Sequence, residues 1–266
     1  MDYMAKNPET RRDIRNWWEP AKSVLICAFS YSSNEKTVMP FGHGRIARYV
    51  GREDYHPVLK EKMEALKTWL KTTIPSADAK IFADTSPVLE RLYGRYAGIG
   101  WIGKNTMLLS QKIGSYFFLA GMAINIDLPH ETPEMDHCGT CRRCIEACPT
   151  QAFPQERVLD ANRCISYFTI EHRGDIPDDF KPKIDNWIFG CDICQEVCPF
   201  NRFSEEGSIF NGPRLESLNL KETLHLSPEK FKSRFSKTAL ARSKHAGLTR
   251  NARTALENAG IDSSCV

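Results

Sequence analysis

Cys138-Gly-Thr-Cys141-Arg-Arg-Cys144-Ile-Glu-Ala-Cys148-Pro149, answered downstream by Cys191-Asp-Ile-Cys194-Gln-Glu-Val-Cys198-Pro199, decides how this chain is read. The first run has the C-x2-C-x2-C-x3-C-P spacing of bacterial ferredoxins, in which three thiolates hold one [4Fe–4S] cluster and the fourth crosses to a second. The second run lacks a first cysteine, its place being held by Ile188, and the isolated Cys164 makes up the number. The spacing divides eight thiols into two sets. Cys138, Cys141 and Cys144 form a tight loop that needs a distant fourth ligand, Cys198; Cys191 and Cys194 then join Cys148 and Cys164. Zinc is the competing reading, because paired C-x2-C units also build zinc sites. Three cysteines at successive x2 spacings, with proline directly after the last, depart from the zinc-ribbon pattern. Two [4Fe–4S] clusters are therefore expected.

Outward from this stretch, the chain fits a reducing cytoplasm. It carries 10 cysteines, and its start, Met1 to Arg15, is charged and lacks the apolar core of a secretion signal. Disulfides are not expected in that setting. Cys27 lies inside the apolar run Ser23–Ser30 and reads as a packed thiol, and Cys265 reads as no ligand. At 266 residues the chain suits one large domain or two modest ones. A net charge of +3 does not by itself indicate nucleic acid. The longest apolar run, Tyr116 to Ile126, is too short to span a bilayer, so no membrane association is expected. A monomer is expected.

Trp17-Trp18 and Pro20 lead into a strand over Ser23–Ser30. Residues 32–56 read as irregular, with a basic-aromatic set of Arg45, Arg48, Tyr49, Arg52, Tyr55 and His56; loops of that length are usually functional or mobile. Pro57 opens a helix whose Leu59, Met63, Leu66 and Leu70 recur at helical spacing, widened by Trp69. Ala79 to Ala83 reads as a strand delivering Asp84, followed by a helix with Ser86 as its cap and Pro87 at its first position. Leu89, Leu92, Tyr93 and Tyr96 are its expected apolar face. Gly98-Ile-Gly-Trp-Ile-Gly103 matches the dinucleotide fingerprint in letters only. That motif must follow a strand and open a helix, whereas this one follows a helix and enters a β-rich stretch, so its glycines read as sites of close backbone approach. Further strand signal lies at Met107–Leu109 and Tyr116–Ile126. Asn211-Gly212-Pro213 reads as a turn before a basic helical tail that includes Lys221, Lys230, Lys232, Arg234, Lys237, Arg242, Lys244, Arg250 and Arg253.

The words Ala83–Glu90, Arg95–Asn105, Cys164–Gly174 and Gly190–Asn201, with the eight cysteines, resemble the epoxyqueuosine reductase family over nearly the whole chain. The resemblance implies an α+β fold: a nitroreductase-like cobalamin-binding domain over 1–129, a ferredoxin-like 2[4Fe–4S] module over 130–201, and the tail over 202–266. It implies reduction of epoxyqueuosine to queuosine at the wobble position of tRNA, with electrons passing from an unidentified low-potential donor through the clusters to cobalamin. Asp84 matches the family's proton donor. Read alone, an aspartate before Thr-Ser-Pro is a turn or capping residue. A helix N-terminus lowers a carboxyl pKa whereas a general acid needs it raised, so desolvation by cofactor and nucleoside is expected to win. The resemblance further places Ala47, Gly103, Lys104, Asn105, Leu108, the strand from Leu119 to Met122, and Ser166 around cobalamin. It sends Ile170–Gly174 and the basic tail to tRNA, with salt-dependent binding and the target base taken out of its stack. Family members usually begin upstream of this Met1 and many continue into helical repeats, so an N-terminal segment is expected to be missing. A reductive dehalogenase is the nearest alternative, but it would typically carry an export signal and a tyrosine acid. A ferredoxin fused to a binding domain, or a non-catalytic nucleic-acid-binding cluster protein, are the others.

Overall fold

The protein was analysed as a computed structural model that describes residues 5–32, 39–51, 53–202, 207 and 214–262. Arg52, the Asn211-Gly212-Pro213 turn and Cys265 lie outside the described residues. The chain runs through β1 (Ser23–Ser30), β2 (His43–Ile46), α1 (Tyr55–Thr73), β3 (Ala79–Phe82), α2 (Glu90–Tyr96) and β4 (Phe117–Ile124). It continues through α3 (Ile165–Ile170), β5 (Trp187–Phe189), β6 (Ser217–Asn219), α4 (Leu220–Leu224), α5 (Pro228–Phe235) and α6 (Lys244–Asn258), with shorter turns between. Among the described residues no helix is long and apolar enough to cross a membrane.

The first sheet is antiparallel, in the order β1-β4-β3. β4 is paired along its length with β1, from Ser23 opposite Ile124 to Ser30 opposite Phe117. Side chains alternate across a strand, so Phe118, Ala120, Met122 and Ile124 turn to one face and pack on Leu59, Met63 and Leu70 of α1. Ala123 turns to the other face, where Phe82, Val88 and Ile14 meet it. The Asp54 side chain caps α1 by accepting from the His56 N–H at 3.0 Å, so the helix starts ahead of Pro57. Trp69 on α1 is 61% exposed and widens nothing.

The helix after Asp84 differs from expectation. It begins at Glu90, with Leu89 at its cap, and Ser86 caps nothing. Asp84 sits in the left-handed region at φ 51, which breaks the chain direction and leaves 84–89 as a turn. Leu92 and Tyr96 point outward, and the buried position on α2 is Gly94.

Residues 32–56 are also more ordered than their composition suggests. β2 is the centre of a second sheet, parallel to β5 and antiparallel to β6. Its Ile46, with Ala47, enters a core shared with Ile188, Phe189, Leu218, Leu248 and Ala252. Residues of 1–129, 130–201 and 202–266 all contribute to this core. Leu248 and Leu256 of α6 are fully buried, and truncating such a side chain costs roughly 2–5 kcal/mol, a large part of a domain's whole stability. Asn251, also buried, donates its two amide hydrogens to the carbonyls of Thr169 and Ile188, each at 2.8 Å, pinning α6 to α3 and β5.

Candidate active site and cluster centre

A cavity of about 440 Å³ lies where the two sheets and the cysteine loops meet. Its wall includes Cys148, Cys164, Cys191 and Cys194, the start of β4 at Phe117 to Leu119, and the acids Asp84 and Glu90. Each cysteine is delivered by a short turn. Arg143–Glu146 and Ile193–Glu196 are single helical turns inside the two runs, and Cys164 stands at the cap of α3.

Electrostatic proximity sorts the thiols. Burial, then the charges of Cys198, Cys138 and Cys141, push the Cys144 thiol up to about 11. Burial also raises Cys191, which feels Cys164 and Cys148, and Cys194, which feels Cys191 and Cys164 and also Cys144 across the divide. Among the described residues no three His, Cys, Asp or Glu side chains gather at the spacing of a single bound ion. Soft thiol donors in two sets of four fit iron–sulfur clusters, whose iron would hold them as thiolates.

A buried polar chain ties the second cysteine loop to the sheet, and sequence reasoning missed it. Asp192, 2% exposed, accepts from the Arg48 N–H at 2.7 Å and from the Gln195 amide at 3.3 Å. Ser115 donates to Gln195 Oε1 at 2.8 Å, and the Asn201 amide donates to Ser115 Oγ at 2.9 Å. The available signal was polar residues between ligand cysteines, which must be satisfied once buried.

Asp84 is held by residues from the start of α1. Tyr55 donates its hydroxyl to Asp84 Oδ2 at 2.9 Å, and His56 Nε2 lies 3.0 Å from the same oxygen. The other ring nitrogen of His56 is 2.7 Å from Asp54 Oδ1. Tyr55 in turn stacks on Phe118, with ring centroids 4.2 Å apart. On the far side, Glu90 Oε1 accepts from the Asp84 backbone N–H at 2.5 Å. The hydrogen bonds to Asp84 and then Asp54 push His56 up to about 9. The same His56 contact, helped by Tyr55, holds the Asp84 carboxyl below its usual range against the opposing effect of burial. Burial by the protein's own atoms does not outweigh these bonds at Asp84. It wins at Glu90, which burial and the nearby Asp84 charge push up to about 7.

Comparison with known proteins bears on this arrangement. A family model described as a 4Fe-4S double cluster binding domain matches residues 137–201, and one described as Epoxyqueuosine reductase QueG, DUF1730 matches residues 11–85. An epoxyqueuosine reductase of Cellulophaga algicola is 43% identical over 94% of this chain and 82% of its own length. One from Synechocystis is 39% identical over 97% and 90%. The chain belongs to the epoxyqueuosine reductase family. A crystal structure of selenomethionine-labeled epoxyqueuosine reductase superposes with a TM-score of 0.90 at 31% identity, covering 99% of this chain and 72% of that one. Another epoxyqueuosine reductase, with a tRNA-Tyr epoxyqueuosine-modified stem loop, superposes at 0.89 and 32% identity, covering 97% and 70%.

Of the residues that resemblance to the epoxyqueuosine reductases placed at a cofactor, Ala47, Asp84, Asn105, Leu108, Leu119 and Ser166 line the cavity. Gly103, Lys104 and Met122 do not. Met122 is three residues from Leu119 and so on the opposite face of β4, fully buried under α1. Lys104 is turned away, donating to the Gly139 carbonyl at 2.8 Å and pairing with Glu156 at 3.0 Å. Gly103 packs on Leu109.

Part of the basic surface expected to meet tRNA is used internally. Arg250 donates to the carbonyls of Phe168, His172 and Gly174, and Arg173 to those of Ile170, Arg242 and Ser243. These bonds fasten Ile170–Gly174 to the tail. The partly exposed Arg242–Glu171 pair at 2.8 Å adds at most about 1 kcal/mol. Lys230, Lys232, Arg234 and Lys237 remain exposed.

The His56 pair fixes a pH dependence of stability. A group whose pKa rises on folding stabilises fully below its unfolded value and loses that contribution as pH climbs through the folded value. The melting-temperature advantage of the protein over His56→Gln is therefore expected to be full below pH 6.5 and to fade as pH passes about 9. An advantage unchanged across that range would remove the charged pair.

Proposed function

We propose that this chain reduces epoxyqueuosine to queuosine in the wobble position of tRNA, acting as an oxidoreductase with two [4Fe–4S] clusters and cobalamin. The observation that carries this is one cavity whose wall holds both four cluster-type cysteines and Asp84. Cobalamin, when bound there, supplies a reducible cobalt centre for opening the epoxide-bearing ring. The cavity's apolar wall of Leu108, Phe117 and Leu119 suits the face of a flat macrocycle, with Ala47, Asn105 and Ser166 beside it. The residues 1–129 that carry about half of this wall would be a nitroreductase-like cobalamin domain.

In this reading the chain's own residues manage the proton. Tyr55 and His56 hold the Asp84 carboxylate by one oxygen, Oδ2, and Glu90 holds its backbone. The proton that Asp84 passes to the departing epoxide oxygen is stored at His56 Nε2, at hydrogen-bond distance. Asp54 on the other ring nitrogen fixes the imidazole's orientation. The exposed lysines and arginines of the tail would neutralise tRNA phosphates. The reductant is proposed to be a low-potential carrier of the cytoplasm, and the working protein a monomer.

The test is turnover. Protein loaded with iron, sulfide and cobalamin is incubated with reductant and epoxyqueuosine-bearing tRNA, and the nucleosides are analysed by mass. Loss of one oxygen from the modified nucleoside is expected. A fully loaded protein that leaves the epoxide intact while binding the tRNA would overturn the proposal.

A further inference from the structure

The Gly98–Gly103 word, left without a role once nucleotide binding is set aside, places an indole against one of the cluster cysteines. Trp101 is 1% exposed, and its Nε1–H points at Cys138 Sγ at 3.3 Å. Its backbone position depends on Gly100: a Cβ there would sit 1.7 Å from the Leu109 carbonyl oxygen, across the small hairpin Trp101–Ile102 and Leu108–Leu109. The ring is fixed edge-to-face by His137 and Phe200, at centroid distances of 4.9 and 4.8 Å.

We propose that Trp101 tunes the cluster held by Cys138, Cys141, Cys144 and Cys198, making it easier to reduce than it would be without the indole N–H. This rests on the two-cluster reading above. Adding an electron to a cluster increases the negative charge on its thiolate sulfurs, so a hydrogen bond to such a sulfur stabilises the reduced form more than the oxidised one. The other set of sulfurs has donors of its own, among them the Ala152 N–H on Cys148 at 3.3 Å, the Thr150 hydroxyl 3.4 Å from the same sulfur and Ser166 on Cys164. Trp101 is a side chain on the first set and can be changed without altering the main chain. It acts through Cys138, so it is a positioning residue and not a catalytic one.

The experiment is a redox titration of the reconstituted protein followed by electron paramagnetic resonance. In Trp101→Phe, the reduced-to-oxidised ratio of one cluster at fixed solution potential is expected to fall about tenfold, a shift of ~59 mV for a one-electron couple, while the other cluster stays put. If Trp101→Phe does not hold its clusters, 3-benzothienylalanine at position 101 keeps the ring's shape and lacks only the N–H, and the same selective shift is expected. Two unmoved couples, or two that move together, would overturn the inference. Fewer than two clusters in the unsubstituted protein would overturn the cluster reading beneath it, a separate result seen before any substitution is made.

Discussion

Asp84→Asn is expected to keep both clusters and the cofactor and to lose most of its single-turnover rate, by about 10²- to 10⁴-fold. At 1.36 kcal/mol per decade this is ~3–5 kcal/mol of barrier. Asparagine has the size of aspartate and can still accept from Tyr55 and His56 through its carbonyl oxygen, so the local fold should survive. Two things disappear. The group can no longer carry a proton, and His56 loses the neighbour chiefly responsible for its pKa of about 9. The variant should therefore also lose the larger part of the pH-dependent stability attached to His56, with Asp54 keeping the remainder, and a melting curve across pH will show whether the substitution acted where intended. A single-turnover rate within tenfold of the unsubstituted protein would take Asp84 out of the proton-transfer step.

Cys164→Ser is expected to be as damaging by another route. Cys164 belongs to neither cysteine run, yet it stands at the cap of α3, lines the cavity, and is close enough to Cys148 for that charge to raise its pKa after burial has done so. If it completes the second set, its loss should take iron from about eight atoms per chain to about four, with turnover falling below detection because the cavity-lining cluster is the one removed. Cys27→Ser is the control. Cys27 is a half-buried thiol in β1 beside the α1 core, so its replacement should leave iron content unchanged. Full iron in Cys164→Ser would return the fourth ligand to some other residue.

The two decisive features were unequally visible in the sequence. The cysteine spacing could be read directly, because cluster ligation demands particular residues at particular separations and no tertiary context alters that. The strand β4 and the helix α1 were equally legible, since a long apolar run and a stripe of about three turns leave few alternatives. β2 was not. His43-Gly-Arg-Ile46 has no alternating apolar pattern, and it becomes a strand because β5 and β6, remote in sequence, offer hydrogen bonds on both of its edges. The setting of Asp84 was half visible. Tyr55 and His56 stood out as a basic-aromatic pair, but their meeting with Asp84 depends on how α1 lies on the sheet, which no local pattern encodes. Met122 shows the opposite failure. Resemblance carried a stretch of strand over as a unit, whereas only its first residues, Phe117 to Leu119, reach the cavity and Met122 lies further along under α1.

β2 has a consequence for how the polypeptide is made. It leaves the ribosome early, but its two sheet neighbours are Trp187–Phe189 and Ser217–Asn219, so the nascent chain must hold it unpaired until most of the molecule has been synthesised. The loops bearing all eight sulfurs are exported within that waiting period. Ala47, which follows β2 and lines the cavity, thus reaches its final place only after the thiols of the same wall have emerged.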